Sequence, residues 1–411
     1  ARDLAAMDST DMGLLSAAQV AALTSTQLRG IETADIAGLG TEGLGQLSAA
    51  QIGALTVAQV GALSSDQLMG LSTLQVRGLS TAALAALGTE ELNHLTTEQF
   101  SILSTAQVAA LSATQIAALS SEDMNALTGA QFKAINPNAM AGFDSADLAA
   151  LTSAQLAVFS TAQIRQIETD EIEGLSTAAL AGLSTLQLAV LTSSQLGALG
   201  SEQVQALGST QVRGLGTAQL AALGSDDLNQ FSTAQFAALT TRQIAGLGTD
   251  QLSKLDTENL AALTTLQVRG METRDIAALD SGDIAALSAA QLGAFTSTQL
   301  RAIGTDDLAG ISTGVLASLA SAQLGQLTSS QLAGLSSDLL QALTTRQLAG
   351  LSSTLLGSLG TDDLRVLTSE QFQSLSTARL AGLTDEQLGS LGSEHFQLLT
   401  STQLRGLTTQ Q

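Results

Sequence analysis

Large apolar residues occupy two fixed positions in an eight-residue cycle that runs through the whole chain. The first, position 1, falls at residue 7 and at every eighth residue to 407, and its 51 sites hold Leu, Ile, Met or Phe. The second, position 6, runs from Leu4 to Leu404 and is equally apolar at 51 sites. The consensus octad is Leu-[Ser/Thr]-[Ser/Thr]-x-Gln-Leu-x-[Ala/Gly], without insertion or deletion. An internal period of this kind is typical of repeat architectures.

The octad excludes one long helix and disfavours a strand. Eight residues at about 100° each rotate an apolar stripe by ~80° per octad, so the stripe faces no constant partner. In a strand, positions 1 and 6 would point to opposite faces, and Gln, Ala and Leu are weak strand formers. A β-solenoid therefore remains only as the alternative fold.

A short helix restarted in every octad explains the polar positions. Position 2 holds Ser, Thr, Asp, Asn or Gly, the residues that cap helix N-termini, except at Glu32, Glu168, Glu272 and Ala320. Position 5 is mostly Gln, which completes a capping box with position 2, and positions 1 and 6 form a hydrophobic staple. The one proline, Pro137, stands at position 3, the first helical residue, where proline is best tolerated. We therefore expect a helix from position 3 to position 8, followed by a two-residue corner.

The placement of charges supports this helix independently. Of the 37 acidic residues, all except Glu173 lie at positions 2 to 5, the N-terminal end of the predicted helix. Nine of the 15 basic residues lie at position 7, near its C-terminal end: Arg29, Arg77, Lys133, Arg165, Arg213, Arg269, Arg301, Arg365 and Arg405. This distribution complements the helix dipole.

A single octad is too small to fold alone. Its two large apolar side chains contribute roughly 3–6 kcal/mol, whereas ordering eight residues costs about 12 kcal/mol. Stability must come from stacked coils, with small residues at position 8 allowing close approach. We predict an all-α solenoid that extends without a domain boundary over residues 1–411. Ala1 and Gln411 both fall inside an octad, so we expect the chain to be part of a longer array.

Composition and charge narrow the possible partners. The net charge of −22 opposes binding to nucleic acid or to anionic membranes. The sequence holds no apolar run of about 18 residues, so membrane insertion is not expected. With no cysteine, the chain has no disulfide, thiol nucleophile or thiolate metal site.

No combination of residues predicts catalysis. His94 and His395 are the only histidines and stand at different octad positions, 8 and 5. Adjacent acids recur at Asp226-Asp227, Asp306-Asp307 and Asp362-Asp363, where carboxylates suit a helix N-terminus, and no calcium-binding motif surrounds them. The nine Phe residues replace Leu at positions 1 and 6, as Phe100, Phe143, Phe159 and Phe231 illustrate. We predict no catalytic, cofactor-binding or metal-binding residues, no cofactor and no enzymatic activity.

Octads such as Leu151-Thr-Ser-Ala-Gln-Leu-Ala-Val and Leu263-Thr-Thr-Leu-Gln-Val-Arg-Gly resemble the octapeptide-repeat tracts of very large secreted or surface proteins of Gram-negative bacteria. Those tracts look like the stalk- or filament-forming regions of adhesin-like proteins. The resemblance covers the whole chain and implies an extracellular or cell-surface location. The calcium-binding nonapeptides and secretion domains that accompany many such proteins are absent from this sequence.

Two functions are consistent with these observations. The first is a structural protein that forms an extracellular filament, sheath or stalk through contacts with copies of itself or through a continuous array. Uniform octads favour it, because a binding solenoid usually varies one face. The alternative is a binding scaffold or adhesin region whose Ser/Thr-rich face contacts protein, polysaccharide or ice.

Overall fold

The computed structural model describes residues 7–407, and these form an all-α repeat solenoid, as predicted. Ala1, Leu4 and Gln411 lie outside the described residues. The chain divides into two compact units, Ala1–Gly214 and Leu215–Gln411, and the octad phase of the sequence continues through the boundary. No strand occurs within residues 7–407, so the alternative β-solenoid is wrong.

The α-helices are four to six residues long, one in nearly every octad. In the first unit they are Ser9–Gly13, Ala17–Ala21, Ser25–Arg29, Thr33–Ile36, Gly40–Gly45, Ala49–Ile52, Val57–Gly61, Ser65–Met69, Thr73–Gly78, Thr81–Ala85, Thr89–Leu92, Thr97–Ser101, Thr105–Ala109, Ala113–Ala117, Ser121–Ala126, Gly129–Ala134, Ser145–Ala150, Ser153–Ala157, Thr161–Gln166, Thr177–Ala181, Thr185–Ala189, Ser193–Gly197, Ser201–Gln205 and Ser209–Gly214. In the second unit they are Thr217–Ala221, Ser225–Asn229, Thr233–Ala238, Thr241–Ala245, Thr249–Leu252, Thr257–Ala261, Thr265–Arg269, Thr273–Ile276, Ser281–Ala286, Ala289–Ala294, Ser297–Ala302, Thr313–Ser318, Ser321–Leu324, Ser329–Ala333, Ser337–Ala342, Thr345–Leu348, Ser353–Leu356, Thr361–Arg365, Ser369–Gln373, Thr377–Leu380, Asp385–Ser390, Ser393–Leu398 and Ser401–Gly406. Within residues 7–407, four 3₁₀ segments accompany them: Ala37–Leu39, Pro137–Gly142, Ile172–Gly174 and Asp307–Gly310.

The predicted capping box starts the typical helix. Ser72 has an extended backbone, with φ −66° and ψ 158°, and its hydroxyl accepts a hydrogen bond from the Gln75 N–H at 3.3 Å. In return, the Ser72 N–H donates to Gln75 Oε1 at 2.8 Å. The corner at positions 1 and 2 is therefore stabilised locally, and nearly all α-helices begin at position 3.

The C-terminal ends differ from the prediction. Many helices end at position 6 or 7 rather than at position 8, as Ala49–Ile52 and Val57–Gly61 do. The chain then tightens into a shorter turn, in which the Leu63 N–H at position 1 donates to the Val60 carbonyl at 3.2 Å. This i→i−3 bond satisfies a terminal carbonyl and turns the chain into the next corner sooner than a full α-helical turn would.

Positions 1 and 6 form the core of each unit. Leu28, at position 6, is fully buried, and Leu63, at position 1, is 4% exposed. Exceptions lie near the limits of the described residues, where Phe396 and Leu404, both at position 6, are 45% and 58% exposed. The predicted apolar seam is therefore present wherever a coil is covered by another.

Successive coils are related by an interval that lies between three and four octads. Each helix packs on the helix three octads away, as Ala49–Ile52 packs on Thr73–Gly78. The sequence separation of side-chain hydrogen bonds between coils is mostly from 25 to 31, which is more than three octads and less than four. Each octad therefore lies over the preceding coil with an offset along the chain.

Three octads hold 3₁₀ segments instead of α-helices, which the sequence analysis did not predict. They contain Pro137–Gly142, Ile172–Gly174 and Asp307–Gly310, and each ends in Gly at position 8. A Cβ atom on Gly142 would overlap the Ala113 carbonyl, so the tightened segment lies against the backbone of the coil before it. The corner at Gly40 also departs from the pattern, because its φ of 61° lets a helix begin at position 2.

Candidate functional site: contacts between successive coils

The Gln side chain at position 5 joins each corner to the preceding coil. Gln59 is 1% exposed, and its Oε1 accepts the Thr56 N–H at 2.9 Å. Its Nε2 donates to the carbonyl oxygens of Leu28 and Ile31, each at 2.8 Å. Helix capping accounts for only the oxygen of this amide. The nitrogen makes the longer-range contact.

Arg379 shows that a side chain other than Gln can supply donors from this position. It replaces Gln at position 5, and its Nε donates to the Leu351 carbonyl, 28 residues earlier, at 2.8 Å. Its Nη2 also donates to the Ala349 carbonyl, and its Nη1 donates to the Ser376 hydroxyl at 2.9 Å. A chemically different side chain thus reaches the same acceptors.

Polar side chains at position 7 contact the following coil. The Nε of Arg301 donates to the Gln326 carbonyl at 2.7 Å, and the Nε of Arg365 donates to the Ser390 carbonyl at the same distance. Asn93 makes the equivalent contact with the Ala118 carbonyl. All three contacts span 25 residues. The predicted helix-dipole role of the basic residues is therefore accompanied by hydrogen bonds between coils.

The two histidines belong to different units. His395 is 6% exposed, stands where most octads have Gln, and packs edge-on against Phe372 with ring centroids 5.2 Å apart. Its Nδ1 lies 3.4 Å from a carboxylate oxygen of Glu394. His94 is half-buried at position 8.

The paired acids take part in helix capping. Asp227 Oδ2 accepts the Gly224 N–H at 3.2 Å, and Asp363 Oδ2 accepts the Gly360 N–H at 2.8 Å. In these two pairs, the second carboxylate accepts the N-cap N–H that the Gln oxygen accepts in the consensus octad. Asp306 instead precedes the 3₁₀ segment Asp307–Gly310.

A second, longer repeat overlies the octads and was missed in the sequence analysis. Asp-x-x-Asp occurs at positions 2 to 5 of three octads, whose first aspartates are Asp8, Asp144 and Asp280. These three residues are equally spaced, and we call their spacing the long period. It also relates the arginines Arg29, Arg165 and Arg301, the glycines Gly38, Gly174 and Gly310, and the phenylalanines Phe100, Phe236 and Phe372. Comparing the chain with itself at this offset would have revealed it.

The structure repeats the same contacts at the long period. Each of the three arginines donates its Nε to the carbonyl 25 residues later: Ala54, Val190 and Gln326. A Cβ atom on each of the three glycines would overlap a serine carbonyl of the preceding coil, on Ser9, Ser145 and Ser281. Each of these serines begins the helix of an Asp-x-x-Asp octad.

Two of the Asp-x-x-Asp octads bury a carboxylate. Asp147 is 7% exposed, and its N–H donates to Asp144 Oδ1 at 2.8 Å. Asp283 is 6% exposed and pairs in the same way with Asp280 at 2.9 Å. Burial raises the pKa of both buried carboxyl groups, and the N-cap aspartates add repulsion in the same direction. The hydrogen bonds to the carboxylates oppose these effects only in part.

The described part of the chain brings no further reactive groups together. Within residues 7–407, no three His, Cys, Asp or Glu side chains are grouped as metal ligands. An open groove beside the second Asp-x-x-Asp octad is lined by Glu173, Ser176, Thr177 and Glu202 among others. None of the described helices has the length and apolar character needed to cross a membrane.

Comparison with known proteins assigns the repeat. The model of the ALTTAQ repeat matches twelve overlapping segments, which together cover residues 29–129, 140–337 and 356–393. No curated protein matches the chain significantly. Because the matched segments make up most of the sequence, the chain belongs to the ALTTAQ repeat family.

Proposed function

We propose that the chain is a structural protein that forms an extracellular filament, sheath or stalk by stacking or end-to-end continuation of its solenoid, and that it is not an enzyme. The observation that carries this proposal is the uniform contact between coils. Gln59, Gln163 and Gln331 each donate to carbonyls 28 and 31 residues earlier. Each coil thus offers acceptors on one side and amide donors on the other, and a further coil would find the same partners.

Exposed seam residues support self-association. Phe396 and Leu404 are about half exposed, whereas Phe372 and Leu380, which occupy position 6 one coil earlier, are fully buried. A further coil, from the same chain or from another copy, would cover them. An exposed apolar surface of this kind favours association. A head-to-tail contact between copies forms a filament when its rotation does not close.

The charge of the protein supports association along the axis over lateral clustering. The net charge of −22 sets up mutual repulsion between the sides of neighbouring molecules, and salt reduces this repulsion. The apolar seam is less sensitive to salt. We therefore expect lateral bundling, but not end-to-end contact, to depend strongly on ionic strength.

The alternative, a Ser/Thr-rich binding face, receives less support because several of these hydroxyls contact neighbouring coils. At position 3, Ser153 and Ser321 donate to the carbonyls of Ala178 and Arg346, at 2.8 and 3.0 Å. Thr97, also at position 3, donates to a carboxylate oxygen of Asp123. Through these contacts the hydroxyl groups stabilise the stacking of coils, so their presence does not require a ligand.

The extracellular, adhesin-like setting rests on the resemblance to surface-protein repeat tracts of Gram-negative bacteria. Solenoids without catalytic groups suit a stalk, whose task is length and stiffness. Protease treatment of intact cells, followed by immunodetection of the repeat, tests the location. Retention of the full signal on intact cells, with its loss after lysis, would contradict a surface position.

Self-association is tested with substitutions at the exposed seam. We would compare the chain with Phe396→Asp/Leu404→Asp by sedimentation velocity at rising concentration and by electron microscopy. The control, Leu186→Asp/Leu266→Asp, adds the same charge at residues that are 72% and 70% exposed outside the seam. We expect end-to-end assemblies for the chain and the control but not for the seam variant. A chain that stays monomeric at all concentrations would refute self-association.

A further inference from the structure

The Asp-x-x-Asp octads differ from the consensus octad in what they offer the preceding coil. In the consensus octad 159–166, Gln163 Nε2 donates to the carbonyls of Phe132 and Ile135 at 2.8 and 2.9 Å. Asp147 occupies the same octad position but carries no amide nitrogen. Gln163 reaches carbonyls 31 and 28 residues earlier. The residues at these distances before Asp147 are Ile116 and Leu119, so their carbonyls lack the donor that a Gln would provide. An ionised carboxylate is an acceptor only.

The surroundings of Asp147 add negative charge. Its helix, Ser145–Ala150, packs on Ser121–Ala126, which carries Glu122 and Asp123, and on Ile172–Gly174, which carries Glu173. The N-cap residue Asp144 is acidic as well. Neither of these two packed elements contains Lys, Arg or His. The carboxylate of Asp147 accepts the Asp144 backbone N–H at 3.3 Å but no side-chain donor. When ionised, it is therefore buried beside further acids without a cation to balance its charge.

Asp283 stands in the same environment in the second unit. Its helix, Ser281–Ala286, packs on Thr257–Ala261, which carries Glu258, and on Asp307–Gly310, which carries Asp307. Asp280 is its N-cap. These elements too contain no basic residue.

Two other buried aspartates have side-chain donors. Asp123 accepts hydrogen bonds from the hydroxyls of Ser120 and Thr97, at 2.6 and 3.0 Å. Asp275 accepts the Thr249 hydroxyl at 2.8 Å and lies 3.7 Å from the Arg274 guanidinium. The carboxylates of Asp147 and Asp283, by contrast, accept only the backbone N–H of their N-cap residues, at 3.3 and 3.1 Å. The buried Asp-x-x-Asp octads therefore lack a side-chain donor to the carboxylate.

We propose that the Asp-x-x-Asp octads are acid-strengthened joints, at which the contact between successive coils is tight while the buried carboxyl is protonated and loosens when it ionises. The protonated carboxyl is neutral and supplies an O–H donor, which removes both the repulsion and the shortage of donors. The motif recurs at the long period, and two of its copies bury the second aspartate. One of these two copies lies in each unit. The first copy differs, because Asp11 is exposed.

The pKa shifts give the sign of the effect. Burial raises the pKa of Asp147 and Asp283 above the ordinary aspartate value of 3.8. A group whose pKa is raised by folding stabilises the folded state. This stabilisation is complete when the pH is below the pKa of the unfolded chain, which is the ordinary aspartate value. This contribution is lost as the pH rises through the folded-state pKa. The joints are thus predicted to be strongest in acid and weaker at neutral pH.

Hydrogen exchange of the whole chain tests the proposal, with Asp147→Asn/Asp283→Asn as the variant that cannot ionise. After correction for intrinsic exchange rates, we expect peptides from residues 143–151 and 279–287 of the unmodified protein to exchange several-fold faster at pH 7 than at pH 4. The variant should exchange equally at both pH values. Asp66→Asn/Asp250→Asn, which removes two exposed acids, controls for the change in net charge and should retain the difference.

A second variant keeps the test decisive if the Asn variant does not fold. Asp147→Gln/Asp283→Gln installs the consensus donor, and we expect slow exchange in both segments at both pH values. Equal exchange of the unmodified protein at pH 4 and pH 7 would overturn the proposal. It would also be overturned if either variant retained the full pH difference.

Discussion

The side-chain amide nitrogen of Gln163 donates to the carbonyl oxygen of Phe132, 2.8 Å away and 31 residues earlier in the chain. Gln163 is fully buried, so this hydrogen bond has no competition from water. The same glutamine caps its own helix through the Ser160 N–H at 2.7 Å. One side chain thus couples the start of a helix to the coil beneath it, and this coupling suggests the first prediction.

Replacing Gln163 by Leu should destabilise the local coils by about 1–3 kcal/mol, because the Phe132 and Ile135 carbonyls and the Ser160 N–H lose their partner while they remain buried. Gln166→Leu, at an exposed position in the same helix, is the matched control and should have little effect. Denaturant unfolding followed by circular dichroism, together with local hydrogen exchange, measures the difference. Equal stability of the two variants would show that the contact between coils contributes nothing.

Arg379 provides a test of whether donors or shape matter at position 5. Arg379→Gln should keep the stability of the second unit, because Gln reaches the equivalent carbonyls in other octads. Arg379→Leu should lower it by about 1–2 kcal/mol, since the Leu351 and Ala349 carbonyls then lack donors. Thermal unfolding distinguishes the two. A Gln variant as unstable as the Leu variant would contradict the requirement for a donor.

Two glycines should respond to alanine with opposite signs. Gly310→Ala places a Cβ atom against the Ser281 carbonyl and should cost about 1–3 kcal/mol through overpacking. Gly293, in the helix Ala289–Ala294, has open space around the Cβ position, so Gly293→Ala should stabilise the protein by about 0.4–1 kcal/mol. Thermal melts of the two variants give the signs directly. Stabilisation by both substitutions would refute the close approach at Gly310.

Damage to the core should remain local. Leu191 is 4% exposed at position 1, and Leu191→Asp buries an unpaired carboxylate at a cost of about 3 kcal/mol or more. Because each coil contacts its neighbours only, hydrogen exchange should accelerate within a few octads of residue 191. Leu186→Asp, at a residue that is 72% exposed, is the control. Uniformly faster exchange across the whole chain would disprove this locality.

Two of the features that were not predicted nevertheless have a signal in the sequence. The long period is visible by self-comparison, for instance from Asp8 to Asp144 and on to Asp280, but the strong octad period conceals it. The 3₁₀ octads coincide with weakened capping signals, as at Glu168, where position 2 lacks a Ser or Thr hydroxyl. In both cases a departure from the consensus marked a structural difference that the consensus itself could not show.

The sequence by itself determined the all-α class, the octad phase, the helix starts and the apolar seam. These depend on interactions within one octad, such as the bonds between Ser72 and Gln75, and short-range chemistry repeats whenever the residues repeat. Only the tertiary structure decided the length of a coil, the burial of Gln59 and the lack of a side-chain donor to the buried Asp147. Those features depend on which backbone atoms of the preceding coil lie beside each side chain, and the packing of whole coils sets that pairing.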